Sequence, residues 1–446
     1  MLTNTYLGQR LIKRRIMMTK KFLKFIALAL VVMLSATCMV ACDKSEDDNT
    51  ITIWAFDSSA EAAKKAVEIY NNAHPESTYQ FDVVSLGQDD MVEKIKIALA
   101  TNSKETLPDM FYDEDYNFAE YITYYGDLFY DLTSKVDIDN YYSYKSLNVT
   151  LDDKVYAVPY DSGTGVLFYR SDLIQKAGYN DSDMQNLTWS EFITIGQKVK
   201  ETTGVDMIIM CPEGDMEGRL LYQSAGTWFF DENGKANITN NSAFADAIDT
   251  MNSAYEANIV YDAAGWDDYI SAIANKKVAS LVGASWWAPI ISGYSEQAGL
   301  WKIAQMPRME GDEMYSNYSN LGGGNWFIIN NENSEISSSF AIEMFGNNQE
   351  LANYMAETYF VLPTNKNLVA GLTTYPSEFW CGQDITSIIC DYNNHIPAVR
   401  YGLNTYEITY IVGPIAGEYI DGKVSFEEAL NKMGSEAERI AKATSN

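Results

Sequence analysis

VPYDSGTGVLFYRSDLIQKAGY, residues Val158 to Tyr179, is the stretch on which the reading of the whole chain turns. Pro159 breaks the segment that precedes it, and the polar cluster Asp161 to Gly165 contains two glycines. An apolar strand follows from Val166 to Tyr169, and a helix starts at Ser171. Gly163 and Gly165 permit backbone angles that other residues resist, so the chain can change direction here between two rigid pieces. That is what a hinge strand requires. An ordinary loop feeding a buried strand is the other reading of the same residues.

The residues before this stretch alternate between strand and helix patterns. Ile51 to Phe56 reads as a strand, and Ser58 with Glu61 as a capping box opening a helix that His74-Pro75 ends. Tyr79, Phe81 and Val83 alternate as a second strand, Asp89 is placed to cap a second helix, and Pro108 to Tyr112 forms a third strand. This order predicts an α/β fold with a mainly parallel sheet flanked by helices. After the central stretch, Thr188 and Glu191 form another capping box, Lys277 to Trp287 reads as a strand ending in two tryptophans, and Gly322-Gly323-Gly324 leads into Asn325 to Ile329. A capping box at Ser425 opens the last helix.

VPYD followed by LFYRSDLxxKAG, the TWxEF string at Thr188, the glycine run at 322 and Leu362-Pro363-Thr364 resemble the extracellular solute-binding proteins of the family 1 type, relatives of maltose-binding protein. The resemblance runs in order over about residues 51 to 440. It implies a two-lobed periplasmic-binding-protein-like fold (type II) joined by hinge segments near 161 to 166, 323 to 328 and 362 to 366. Lobe 1 is then 51–161 with 328–363, and lobe 2 is 162–327 with 364–446. It also implies capture of a carbohydrate, with ABC permease subunits in the membrane as partners and no cofactor.

Residues 1–42 hold seven basic residues and no acid, followed by an apolar run from Phe25 to Leu34 that is short for a membrane span, which reads as an export signal with Met1, Met17 or Met18 as its start. Met39-Val40-Ala41-Cys42 resembles a lipobox, making Cys42 the lipid-attachment residue, 43–50 an acidic tether, and the outer face of the cell membrane the location. Without the leader, the formal charge goes from −29 to −36, which repels nucleic acid. Cys211, Cys381 and Cys390 remain. The last two are spaced so that a bridge is conceivable, but buried free thiols are the preferred reading.

Sugars offer apolar faces and hydroxyl edges, so their sites combine flat rings with carboxylates and amides. At strand ends, where ligands of such sheets gather, Trp54, Trp228, Trp286, Trp326 and Tyr401 are candidate platforms. Asp57, Asp113, Asp115, Asp161 and Asn325 are candidate polar partners. The resemblance adds Asn117 and Trp287. An acidic cleft with aromatic walls also suits a polyamine, and the pairs Tyr124-Tyr125 and Tyr141-Tyr142 suit ferric ion. His74 directly precedes Pro75, His395 lies two residues before Pro397, and neither carries a triad or metal centre, so no metal site is expected. A glycosidase needs just two carboxylates and is the enzymatic alternative. The protein is otherwise expected to be a monomer and not an enzyme.

Overall fold

Ile51, Ile53 and Ala55 are fully buried on one face of a strand, β1 (Thr50–Ala55), in a computed structural model that describes residues 49–214, 216–231 and 234–443. The leader, Cys42 and the tether up to Asp48 lie outside the described residues, and the strand takes Thr50 from the tether's expected end. Residues 51–446 form one unit, and residues 1–50 another, of which Asn49 and Thr50 alone are described.

The first helix, α1 (Asp57–Ala73), starts before the expected Ser58 box. Asp57 takes a left-handed φ of 44°, the Ser59 hydroxyl accepts from the Phe56 amide at 3.2 Å, and Glu61 pairs instead with Lys64 at 2.7 Å. After β2 (Gln80–Ser85), α2 (Gln88–Ala100) is capped at Gly87; Asp89 and Asp90 sit in its first turn, where negative charge meets the unpaired amides. Then come β3 (Met110–Glu114) and β4 (Ala157–Pro159).

The chain next builds a second sheet from β5 (Gly165–Arg170), α3 (Trp189–Thr203), β6 (Asp206–Met210), α4 (Met216–Ser224), β7 (Val260–Asp262), α5 (Trp266–Ala274), β8 (Val278–Ala284), α6 (Trp287–Ser292) and β9 (Trp301–Ala304). The Thr188 box forms as read: the Thr188 amide donates to Glu191 at 2.9 Å, and the Glu191 amide to the Thr188 hydroxyl at 3.3 Å. Strand β10 (Gly324–Ile328) returns to the first sheet. Helix α7 (Gln349–Tyr359) covers that sheet, while α8 (Thr405–Ile420) and α9 (Phe426–Ala443) add Val412 and Met433 to the core of the second.

The strand orders are β2-β1-β3-β10-β4 and β9-β5-β8-β6-β7. Both sheets are mixed rather than mainly parallel. The strands β1 and β3, β6 and β7, and β6 and β8 run parallel, but β10 is antiparallel to β3 and β4, and β5 to β8 and β9. The cause is the crossing itself, because β5 and β10 arrive from the other lobe and enter their sheets at the edge where β3 and β8 end. All of β10 pairs in the first sheet, so the expected boundary after Phe327 cuts a strand, and the return crossing precedes Gly324.

Three crossings lie side by side. Leu321 donates to the Gly163 carbonyl at 2.7 Å, Gly165 to Ser319 at 2.7 Å, and Thr364 to Tyr160 at 2.9 Å. Between them Ser162, Thr164, Asn320, Asn393 and Tyr144 share a buried network, with Thr164 Oγ1 to Asn393 Oδ1 at 2.6 Å and Ser162 Oγ to Asn320 Oδ1 at 2.8 Å. Neither Gly163 nor Gly165 has a positive φ; the left-handed glycines of the hinge are Gly322 and Gly323. Gly163 serves by lacking a Cβ, which would overlap the Leu321 carbonyl. Gly163→Ala is therefore expected to cost about 1–3 kcal/mol in urea unfolding; an unchanged midpoint would contradict this packing.

Candidate ligand-binding cleft

Side-chain alternation along β3 decides what faces the space between the lobes. Tyr112 and Glu114 point into a cleft of about 770 Å³, and Phe111 and Asp113 point away from it. The crossing residues Asp161, Ser162, Gly163 and Leu321 to Gly323 form its floor. The first lobe adds Phe56 to Ser59 at the start of α1, Gln88 at the start of α2, and Thr358 to Val361. From the second lobe come Cys211, Met216 and Arg219, then Trp266, Tyr269, Ser285 and Trp286.

The second-lobe wall is a stack of rings. Trp266, 50% exposed, lies 4.7 Å from Trp287 at 30°, and Trp287 lies 5.8 Å from Tyr269 at 29°. Trp286 stands beside them, 5.3 Å from Trp287. Across the cleft are the carboxyls of Asp57, Glu114 and Asp161. Asp161 Oδ1 accepts from the Tyr112 hydroxyl and from the Gly324 amide, each at 2.8 Å. Glu114 accepts from the Tyr406 hydroxyl of α8, which links the lobes at the rim. Burial pushes the Glu114 carboxyl up to about 7, against the pull of Arg219 and with the push of Asp113 and Asp115. A flat exposed indole in a cleft that also holds carboxyls and hydroxyls can grip a molecule that has both an apolar face and hydroxyl edges.

Of the residues expected from the sequence, Asp57, Asp161 and Trp286 line the cleft. The others do not. Asp113 is fully buried and accepts from the Tyr121 hydroxyl at 2.7 Å and Asn117 Nδ2 at 2.9 Å, which occupies Asn117 as well. Asp115 turns inward to Lys145 Nζ at 2.6 Å and Asn325 Nδ2 at 2.7 Å, so that Asn325 is also internal. Register explains this: Asn325 pairs with Asp113 within the sheet, and the strand end that meets the cleft is Glu114. Trp326 stacks on Phe345 at 4.0 Å, Trp228 on Tyr116 at 5.7 Å, and Tyr401 donates to Gln223 at 2.9 Å, all in cores. Trp287 is the inner of the adjacent pair, and Trp54 is half-buried against the first core. Tyr124, Tyr125, Tyr141, Tyr142 and both histidines lie off the cleft lining. Cys211, Cys381 and Cys390 form no disulfide among the described residues.

Trp266, Tyr269, Tyr112, Gln88, Arg219 and Phe360 were not singled out by the sequence. A signal existed for Trp266 alone, as a tryptophan placed between Gly265 and the acidic helix start Asp267-Asp268, where a core residue is poorly sheltered.

Two lobes, three crossings and a cleft lined from both sides define a binding protein that encloses a small solute. Residues 65–380 match the family model of bacterial extracellular solute-binding proteins, and the chain belongs to that family. It is 31% identical over 378 residues to the lactose-binding protein of Rhizobium radiobacter, covering 82% of this chain and 87% of the relative. Identity to the arabinooligosaccharide-binding protein of Bacillus subtilis (strain 168) is 25% over 228 residues, half of this chain and 52% of the other. The sugar-binding protein MalE of Xanthomonas citri shares the fold with a TM-score of 0.74 at 17% identity, over 89% of this chain and 98% of its own.

The buried acids make stability pH-dependent. Burial raises Asp113 and Asp115 to about 6, partly offset by their donors, and Glu114 and Glu217 to about 7. In the unfolded chain these groups ionise near pH 4, so between pH 4 and 7 the folded state holds more protons and stability falls as pH rises. The ligand-free midpoint is therefore expected to be higher at pH 5.5 than at pH 8, and a midpoint that rises over this range would contradict it. Asp113→Ala leaves Tyr121 and Asn117 without their acceptor and is expected to lose about 1–3 kcal/mol of stability in urea unfolding.

Proposed function

We propose that this protein captures a neutral carbohydrate between its lobes and delivers it, chemically unchanged, to the permease subunits of an ABC importer. The observation that carries this reading is the half-exposed Trp266 face, backed by two further rings and set opposite Asp57, Glu114 and Asp161. The sugars named for its relatives, lactose and arabinooligosaccharide, belong to the same chemical class. Residues from both lobes meet one guest, so the closed form gains contacts that the open form lacks. Lobe 1 is taken as residues 51–161 and 324–363, and lobe 2 as 162–323 and 364–446. The protein acts as a monomer held at the outer face of the membrane by lipid on Cys42, a reading supported by the basic leader and the MVAC sequence. Labelled palmitate should appear on the wild type and vanish from Cys42→Ala; equal labelling of both would remove the anchor.

Calorimetry against lactose, arabinooligosaccharides and spermidine separates the ligand classes. Heat with a sugar and none with spermidine is expected, while heat with spermidine alone would favour the polyamine reading that the cleft carboxyls also support. New reducing ends after incubation with oligosaccharide would indicate a glycosidase. Trp266→Ala should weaken sugar binding about tenfold or more, equivalent to about 1.4 kcal/mol, with the ligand-free midpoint unmoved because the ring is half in solvent. An unaltered Kd would remove Trp266 as the platform.

A further inference from the structure

Behind the aromatic wall lies an acid that no ligand reaches. Glu217, on α4, is 2% exposed, and its Oε1 accepts the hydroxyl of Tyr269, on α5, which is 3% exposed. The ring of Tyr269 lies 29° from that of Trp287, and Trp287 lies 30° from that of Trp266, so a series of tilted rings runs from the buried carboxyl to the open cleft. Trp287 is gripped by shape: a Cβ on Gly283 of β8 would stand 2.5 Å from its Cδ1, and its Nε1 has no hydrogen-bond partner among the described residues. Within this stack, the Tyr269 hydroxyl supplies the directional polar anchor.

We propose that Glu217 is a positioning residue, which through Tyr269 sets the tilt of the Tyr269–Trp287–Trp266 stack and so the face that Trp266 offers to the ligand. The inference rests on the reading that the cleft binds carbohydrate on Trp266. Burying a carboxyl is costly, and an apolar side chain would satisfy packing at this point on α4. What the carboxyl adds is an acceptor with a direction. It joins α4, which gives Met216 and Arg219 to the cleft, to α5, which gives Trp266 and Tyr269, across 52 residues of sequence. Ring tilt matters for a stacked sugar because its contact area with the platform falls quickly as the faces cease to be parallel.

The test uses the full chain and two readouts, the indole exciton couplet in circular dichroism without ligand and the calorimetric Kd for lactose. Trp266→Phe assigns the couplet. Glu217→Gln keeps a carbonyl acceptor and is expected to retain the couplet and a Kd within about twofold of wild type. Glu217→Leu and Tyr269→Phe each remove one end of the bond. Both are expected to shrink the couplet and weaken binding about tenfold, and the double variant should lose no more than either alone. Should Glu217→Leu fail to fold, Tyr269→Phe, which keeps the ring, decides alone. A full couplet and unchanged Kd in Tyr269→Phe, or a Gln variant as impaired as the Leu variant, would overturn the proposal. Failure of the wild type to bind any sugar would instead overturn the carbohydrate reading, and the couplet would still decide whether Glu217 holds the stack.

Discussion

Where the chain passes from one lobe to the other it runs three times through a buried region, and every backbone amide and carbonyl there needs a partner other than water. Ser162, Thr164, Ser319, Asn320, Leu362 and Thr364 are all nearly or wholly buried. The solution is to lay the crossings against each other so that each supplies what its neighbour lacks, with Gly163 donating to Gly322 and accepting from Leu321. Side chains complete the arrangement through the Tyr144, Ser162, Thr164, Asn320 and Asn393 network. A buried network joined by this many hydrogen bonds is stiff, so the crossings work as a shared floor and bending falls to their ends.

The direction in which the crossings enter the sheets also determines the cleft. Because β10 begins opposite the end of β3, Gly324 stands against Glu114, and the acids of 113 to 115 are sorted by the pleat. Asp113 and Asp115 become internal acceptors for Tyr121, Asn117, Lys145 and Asn325. Glu114 and Tyr112 are left to meet the guest. A single run of carboxyls thus serves two purposes, holding the first lobe together on one face and lining the cleft on the other. The strongly acidic surface fits a ligand without negative charge.

Much of the architecture was legible in the sequence because its signals are local. The alternation at Ile51 to Ala55 and the Thr188 and Ser425 boxes each depend on neighbours a few residues away, and each appears in the structure. The site was less legible because it depends on register and on partners distant in sequence. Asp113 and Glu114 differ by one residue and face opposite ways. Trp286 and Trp287 lie side by side past the end of the strand, one lining the cleft and the other buried behind it, and nothing local tells which is outside. Trp228, Trp326 and Tyr401 are platforms by residue type, yet Tyr116, Phe345 and Gln223 claim them from far along the chain. Trp266 was missed for the converse reason: its neighbours Gly265, Asp267 and Asp268 look like a solvated helix start, and it takes Trp287 and Tyr269 behind it to make a platform.

Capture depends on the two lobes moving together over a guest that both touch. Small-angle scattering on the full-length protein, with and without a sugar already shown by calorimetry to saturate it, tests this most directly. A smaller radius of gyration with sugar is the expected result. Identical scattering from the free and the saturated protein would contradict closure and leave the cleft as a static surface.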